Sequence, residues 1–326
     1  MEKKKAPAKI FKQELIVFLV VVALLIFFCA ASEDFRKYTT ILTIMDYSYY
    51  IVLMAIGVAF PLITGGVDLS IGTGLVCYSL AGGYLIVHLG WPVWLAMIIT
   101  ILFGIVIGTL NGFLIGVMGL PPFLATLCTC MITRGLGSIC SGNFGISWPA
   151  SGQTGSWFRN IFKYTAGETK IPLGFIWVLI LAIVMHYVLN HTKIGRYTIA
   201  IGSNKEAAIL SGINVKFYHI MAYVISGFFA ALAAVAYSAV FGTVLPGTGA
   251  GFELEAIGGA IIGGVSATGG AGSIIGTFIG VFVICLLKTG LPFIGLQANW
   301  QQIVTGLVLI GSVMVDIIKK SKEAKK

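Results

Sequence analysis

Charged side chains are scarce in this chain. Only 10% of its 326 residues are charged, whereas 58% are hydrophobic, and a soluble domain carries about 25% charged residues. So few charges cannot cover a surface that faces water. The hydrophobic residues form long runs, as in 15–31 and 217–241, and roughly 17–25 apolar residues are enough to cross a bilayer. The composition therefore predicts an all-α polytopic membrane protein.

The sequence also lacks the motifs of common enzyme classes. It has no Gly-x4-Gly-Lys-Ser/Thr loop for nucleotide phosphates, no His-Glu-x-x-His zinc motif and no Gly-x-Ser-x-Gly nucleophile motif. Cys128 and Cys130 are not at zinc-ligand spacing, and no histidine is near them. We therefore expect no catalytic residue, no metal site and no cofactor in this chain. The cysteines are interpreted as small hydrophobic side chains.

The basic residues are unevenly distributed. Most of the 21 lysines and arginines lie before the first apolar run, after the last one, or in 191–216. Because positively charged segments stay in the cytoplasm, the tails 1–14 and 318–326 and the segment 191–216 are predicted to be cytoplasmic. The segment 141–172 is then predicted to be an external loop. Topology thus accounts for the net charge of +9, and we expect no nucleic-acid partner.

These anchors and the apolar runs predict a single transmembrane domain over 1–326 with about ten spans. Both termini then lie on the same side of the membrane, as an even number of spans requires. The predicted spans are 15–31, 42–62, 70–88, 93–117, 122–140, 173–190, 217–241, 252–267, 272–289 and 300–317.

Two glycine-rich segments resemble each other. The segments 104–112 and 272–280 agree at both ends and at an Ile, a Gly and a Thr between them. They lie on predicted spans four and nine, so the two copies would cross the membrane in opposite directions, as in the inverted repeats of many transporters. Their glycines are predicted to let helix backbones pack closely. These glycines are Gly104, Gly108, Gly112, Gly272, Gly276 and Gly280.

The glycine-rich segment 65–72 opens span three, and span eight is short and broken by glycine over 253–264. Such a pair of unusual, interrupted segments indicates a translocation path. Asp68 is interpreted either as a helix cap at the cytoplasmic surface or as part of a gate. Arg134 is interpreted either as lining the path or as extending to the membrane surface, and Lys288 is expected at the interface. The candidate gate and path residues are Gly65, Gly66, Asp68, Ser70, Asn111, Thr126 and Arg134.

The segment 191–216 contains the signals of a short helix. Asn204 can cap a helix that begins near Lys205, and Glu206 lies in its first turn, where the helix dipole favours an acid. Gly212 can end the helix. We therefore expect about two turns of helix between two membrane spans.

Glu206-Ala207-Ala208 followed by Gly212 is similar to the Glu-Ala-Ala-x3-Gly signature of permease subunits of ATP-binding-cassette (ABC) importers. Further motifs follow one another along most of the chain and resemble the branch that imports ribose, galactose, xylose, arabinose and related compounds. The Ile-x-Leu-Pro tail of the wider family is absent, which fits the sugar branch better. The motifs of the resemblance are 65–72, 122–127 with 134–135, 195–213, 253–270 and 300–302.

The resemblance implies a non-catalytic pore subunit for a monosaccharide or related small polar solute in the inner membrane of a bacterium. It implies ATP and Mg²⁺ on a separate ATP-binding subunit, a secreted or periplasmic sugar-binding protein, and a second permease copy, identical or paralogous. It does not identify the sugar. The residues expected to couple to the ATPase are Asn204, Glu206, Ala207, Ala208, Ser211 and Gly212.

Two other functions compete with the importer. A secondary transporter driven by a proton or sodium gradient usually has ionisable residues in mid-span, whereas Asp68, Glu253 and Glu255 are expected near span ends. A receptor or a structural membrane protein would not need interrupted spans in inverted copies. The importer is therefore the leading interpretation, and the secondary transporter is the alternative.

Overall fold

The computed structural model describes residues 6–166 and 169–324, and helices dominate this part of the chain. The helices are α1 (Ala6–Ala31), α2 (Tyr38–Ile63), α3 (Ile71–Val87), α4 (Val93–Gly116), α5 (Pro122–Cys140), α6 (Gly174–His191), α7 (Lys193–Ser203), α8 (Lys205–Leu210), α9 (Val215–Phe241), α10 (Phe252–Ile262), α11 (Ile274–Phe293) and α12 (Ala298–Ala324). The short strands are β1 (Ile146–Ser147), β2 (Tyr164–Ala166), β3 (Thr169–Ile171) and β4 (Thr243–Val244).

Eight of the described helices are long enough and apolar enough to cross a membrane. The helix α3 is apolar but has 17 residues, and α10 has only 11. The all-α polytopic fold is confirmed, and the count of ten spans stays a prediction. The predicted eighth span, 252–267, is helical only as far as Ile262, because Gly264 turns the chain with a φ of +100°.

The helix α9 lies at the centre of the bundle, between α2 and α4. Gly104 and Gly108 of α4 approach it so closely that an added Cβ would overlap the backbone oxygens of Gly227 and Tyr223. Gly112 continues the same contact one turn further along α4. Small residues let two helix backbones touch, and such packing holds helices together where lipid removes the hydrophobic drive.

The second glycine row has a different neighbour. Gly276 and Gly280 of α11 lie against the backbone of Gly263, at the end of α10. Gly272 precedes α11, and its position faces the side chain of Ile63. Both rows therefore use glycine to bring helix backbones together, but the first row packs on α9 and the second on α10.

Described residues next to the three basic clusters lie near one end of the bundle. Glu14, Ser203 and Asp316 are adjacent to the N-terminal, central and C-terminal clusters, and each forms a hydrogen bond with the loop 263–273. The segments predicted to be cytoplasmic thus meet at one loop. Which side of a membrane this end faces stays a prediction.

The segment 141–172 covers the opposite end. Its strand β1 pairs with β4 in antiparallel register, and buried Trp148 donates a hydrogen bond from Nε1 to a backbone oxygen of α3 at 3.0 Å. Lys163 forms an ion pair with Asp46 at 2.6 Å. Asp46 lies about 25 Å along α2 from the end of that helix at Ile63, at 1.5 Å per residue.

Arg159 fastens this segment to the end of α9. Its guanidinium donates hydrogen bonds to the backbone oxygens of Pro149 at 2.6 Å, Trp148 at 3.3 Å and Ala239 at 3.4 Å. Partial burial disfavours the charged form and lowers the pKa of Arg159 below its usual value.

Candidate functional site

Two glycines lie near the start of the α2–α3 junction (64–70), which leads into the third predicted span. Gly65 has a φ of +85°, a conformation that other residues rarely adopt. Gly66 lies against α9, where an added Cβ would overlap the hydroxyl of Tyr223. That hydroxyl donates a hydrogen bond to the backbone oxygen of Val67 at 3.3 Å. The junction is therefore packed directly against the central helix.

Asp68 lies inside the bundle and is 1% exposed. One carboxylate oxygen accepts hydrogen bonds from the backbone N–H and the hydroxyl of Ser70, at 3.0 and 2.6 Å. The other accepts from Ser226 of α9 at 2.7 Å. The interpretation of Asp68 as a cap at the cytoplasmic surface is therefore wrong, since a cap there would be solvated. The sequence could not show this burial, because Ser226 is distant along the chain.

The hydrogen bonds continue from Asp68 into α4 and α5. The Ser70 hydroxyl accepts from Asn111 Nδ2 at 2.9 Å, and Asn111 Oδ1 accepts from Thr129 at 2.6 Å. Asn111 is fully buried. This polar network (Asp68, Ser70, Asn111, Thr129 and Ser226) links the junction to α4, α5 and α9. None of these elements can shift alone without leaving a buried polar group unpaired, which costs about 1–3 kcal/mol.

Two further candidates lie on α5, on different faces. Thr126 is buried and donates to the backbone oxygen of Val67 at 3.3 Å, so it belongs with the junction. Arg134 is exposed and lines a narrow cleft with Thr73 and Gly247. The structure thus brings Thr126 to the polar network and leaves Arg134 outside it.

The predicted short helix is present as α8. Asn204 Oδ1 accepts a hydrogen bond from Ala207 N–H at 2.9 Å, which is the expected cap. Gly212 ends the turn that follows with a φ of +77°. Glu206 and Ser211 are exposed. The preceding helix α7 was not predicted, because glycine, threonine and isoleucine, which have low helix propensity, are frequent among its 11 residues, although its apolar residues recur with helical periodicity.

The helix α8 has a buried side and an exposed side. Ala208 packs with Ile201 and Val215 in a small hydrophobic cluster, so it holds α8 against the neighbouring helices. Ile209 and Leu210 are 54% and 90% exposed. These two adjacent, exposed apolar side chains are candidates for a partner contact, and the sequence interpretation had not singled them out.

The end of α7 touches the end of α2, where the junction begins. An added Cβ at Gly202 would overlap the backbone oxygen of Ile63. The same oxygen accepts a hydrogen bond from Gly270 N–H at 2.9 Å. Because these contacts are direct, a movement of α7 and α8 would displace α2 and the loop 263–273.

A second polar group of side chains lies towards the other end. Lys288 of α11 donates to Glu255 of α10 at 2.8 Å and to the Tyr50 hydroxyl at 3.1 Å. Its Nζ lies 4.9 Å from the ring centre of Tyr47 and 5.0 Å from that of Phe252. The side chain of Lys288 is 16% exposed and paired, and its expected position at the membrane interface stays a prediction. Opposite charges on two apolar helices were the signal that could have revealed the pair.

Comparisons with known proteins give a consistent result. Residues 40–313 match the family described as "Branched-chain amino acid transport system / permease component". The fructose import permease protein of Bifidobacterium longum is 33% identical, with 96% of this chain and 94% of that protein covered. The D-allose transport system permease protein of Escherichia coli is 34% identical, with coverage of 92% and 90%. The ribose import permease protein of Escherichia coli is 30% identical, with coverage of 94% and 93%.

Proposed function

This chain belongs to the branched-chain amino acid transport system permease family, and from that premise we propose that it is the membrane-spanning subunit of an ABC importer for a monosaccharide, in the inner membrane of a bacterium. The observation that carries the proposal is the similarity along nearly the whole chain to permeases named for fructose, D-allose and ribose. Those names favour a sugar over the amino acid in the family description.

A separate ATP-binding subunit is proposed to dock on α8 and to hold ATP and Mg²⁺. The exposed apolar pair Ile209 and Leu210, together with Ala207 and Glu206, supports this location. Ala208 packs with Ile201 and Val215 and so holds α8 against the neighbouring helices. A partner seated on α8 would act through Gly202 on the end of α2.

The proposed mechanism follows this line of contacts. Closure of the ATPase pair moves α7 and α8, which displaces α2 and the loop 263–273 and so shifts the α2–α3 junction. The polar network then exchanges one set of hydrogen bonds for another, and rigid elements rock to alternate access. A sugar-binding protein delivers solute at the end covered by 141–172, and a second permease copy completes the path.

Affinity purification of the full chain from its native membrane tests this assembly. We expect a co-purifying chain with a Gly-x4-Gly-Lys-Ser/Thr loop and, after addition of a sugar-loaded binding protein, a larger complex. Uptake by the same cells should stop when arsenate depletes ATP and should survive a protonophore while ATP is maintained. A chain that purifies without any ATPase, in cells whose uptake the protonophore abolishes, would instead indicate a secondary transporter.

A further inference from the structure

A cavity of about 570 Å³ lies between α10, α11 and the start of α12, and this volume is within the range of small-molecule sites. Glu255 and Lys288 form one wall of it, and Phe252 adds an aromatic ring. The polar side chains that complete the lining are Thr248, Asn299, Gln301, Gln302 and Thr305.

This lining does not suit contact with lipid. Three amide side chains facing hydrocarbon would lack hydrogen-bond partners, which is strongly unfavourable. Polar residues within membrane helices usually face a water-filled cavity or the interior of an assembly. The cavity therefore faces away from lipid, and it contains water or a polar molecule or is closed by a second permease copy.

The chemistry of the lining selects a class of molecule. Lys288 and Glu255 neutralise each other, so an ion would have to compete with an ion pair at 2.8 Å. The carboxylate accepts hydrogen bonds, and the amides of Gln301 and Gln302 both donate and accept them. Hydroxyl groups match such a mixture because each hydroxyl donates one bond and accepts others. The Phe252 ring offers an apolar face to a C–H surface.

We propose that this cavity is a solute site on the translocation path and that it binds an uncharged polyhydroxylated molecule of the monosaccharide class. The inference rests on the proposed function and extends it by assigning a substrate site to residues of this chain. Gln302 and Glu255 contact the solute hydroxyls, and Lys288 is a positioning residue that holds Glu255. A zwitterionic amino acid does not fit a wall whose charges are already paired.

Reconstituted transport of the complete importer tests the site. Gln302 is exposed, so Gln302→Leu removes an amide without emptying a packed core. We expect uptake per ATP hydrolysed to fall by about fivefold, the effect of one lost hydrogen bond of about 1 kcal/mol. The control is Gln297→Leu, the same exchange just before α12 and outside the cavity, which should transport normally. Equal coupling in both variants would overturn the site.

A second measurement uses the full chain alone, so it decides the inference even where the wild-type assembly does not transport. In a chain with its six cysteines replaced by alanine, Thr305→Cys should react with a charged methanethiosulfonate reagent faster than Leu307→Cys, whose position on α12 is exposed and outside the cavity lining. D-ribose, D-fructose or D-allose should slow the reaction, and L-valine should not. Equal rates at the two positions, protection by none of the sugars, or protection by L-valine alone would each contradict the proposal. Loss of wild-type transport with sugar protection intact would refute only the proposed function.

Discussion

At the scale of single residues, Asp68 illustrates how one buried carboxylate can join several helices. Its oxygens accept three hydrogen bonds from Ser70 and Ser226, and no ion pair with a basic side chain is present among the described residues. The donors lie on the junction and on α9, while Asn111 extends the network to α4. Hydrogen bonds from these donors, rather than an ion pair, therefore hold the carboxylate of Asp68 in place.

Asp68→Ala and Asp68→Asn separate these two contributions. Alanine leaves the Ser70 and Ser226 donors unpaired in the interior, and each unpaired group costs about 1–3 kcal/mol. Asparagine keeps one acceptor oxygen for Ser70 and presents an amide that Ser226 can accept from. Heating followed by size-exclusion chromatography should show a clear loss of stability for alanine and a small one for asparagine. Equal losses would mean that the negative charge itself stabilises the junction.

At the scale of helices, the contacts of α4 with α9 and of α11 with the end of α10 leave no room for side chains. Gly108→Leu and Gly276→Leu should each lower the yield of folded protein. A Cβ at either position already overlaps a neighbouring backbone, and overpacking costs about 1–3 kcal/mol. The matched control is Gly311→Leu on α12, where an added Cβ meets nothing within 4 Å. The yield of monodisperse protein measures the effect. A normal yield from Gly108→Leu would show that these helices can separate without loss.

The exposed face of α8 gives a second element-scale prediction. Leu210 is 90% exposed, so Leu210→Asp should leave the thermal stability of the isolated chain unchanged. Co-purification with the ATPase, and ATP hydrolysis stimulated by the binding protein, should both fall severalfold because an apolar contact is replaced by a solvated charge. Leu89→Asp is the control, since Leu89 is also exposed but lies beyond α3 at the opposite end. Normal ATPase binding by Leu210→Asp would move the docking site away from α8.

The elements that sequence could predict are those with local signals. Asn204 and Gly212 mark the start and stop of α8 within eight residues, and the apolar runs mark the long helices. The features that sequence missed depend on partners far apart in the chain. The pairing of β1 with β4 and the ion pair of Lys288 with Glu255 exist only after the helices pack. The burial of Asp68 has the same cause.

At the scale of the whole molecule, the two ends have different structures. At one end, described residues next to the three basic clusters form hydrogen bonds with the loop 263–273, and the other end is covered by 141–172. In a chain without native cysteines, Lys205→Cys should react with a membrane-impermeant maleimide only after permeabilisation. Gln153→Cys should react in intact spheroplasts. The positive-inside rule gives the reason, and labelling of Lys205→Cys from outside would reverse the topology and remove α8 from the ATPase side.

The proposed path connects these ends. A polar cavity lies among α10, α11 and α12 towards the end covered by 141–172, and the buried polar network lies at the junction that α7 reaches through Ile63. In the proposed function, energy is supplied at α8 and solute is supplied at the opposite end.

The most direct test of this function is solute uptake by proteoliposomes that contain the purified permease–ATPase complex, with ATP inside and the sugar-loaded binding protein outside. We predict accumulation of radiolabelled D-ribose, D-fructose or D-allose only when ATP, the ATPase and the binding protein are all present, and no change when ionophores collapse proton and sodium gradients. Accumulation by this chain alone, driven by an imposed proton or sodium gradient without ATP, would contradict the assignment.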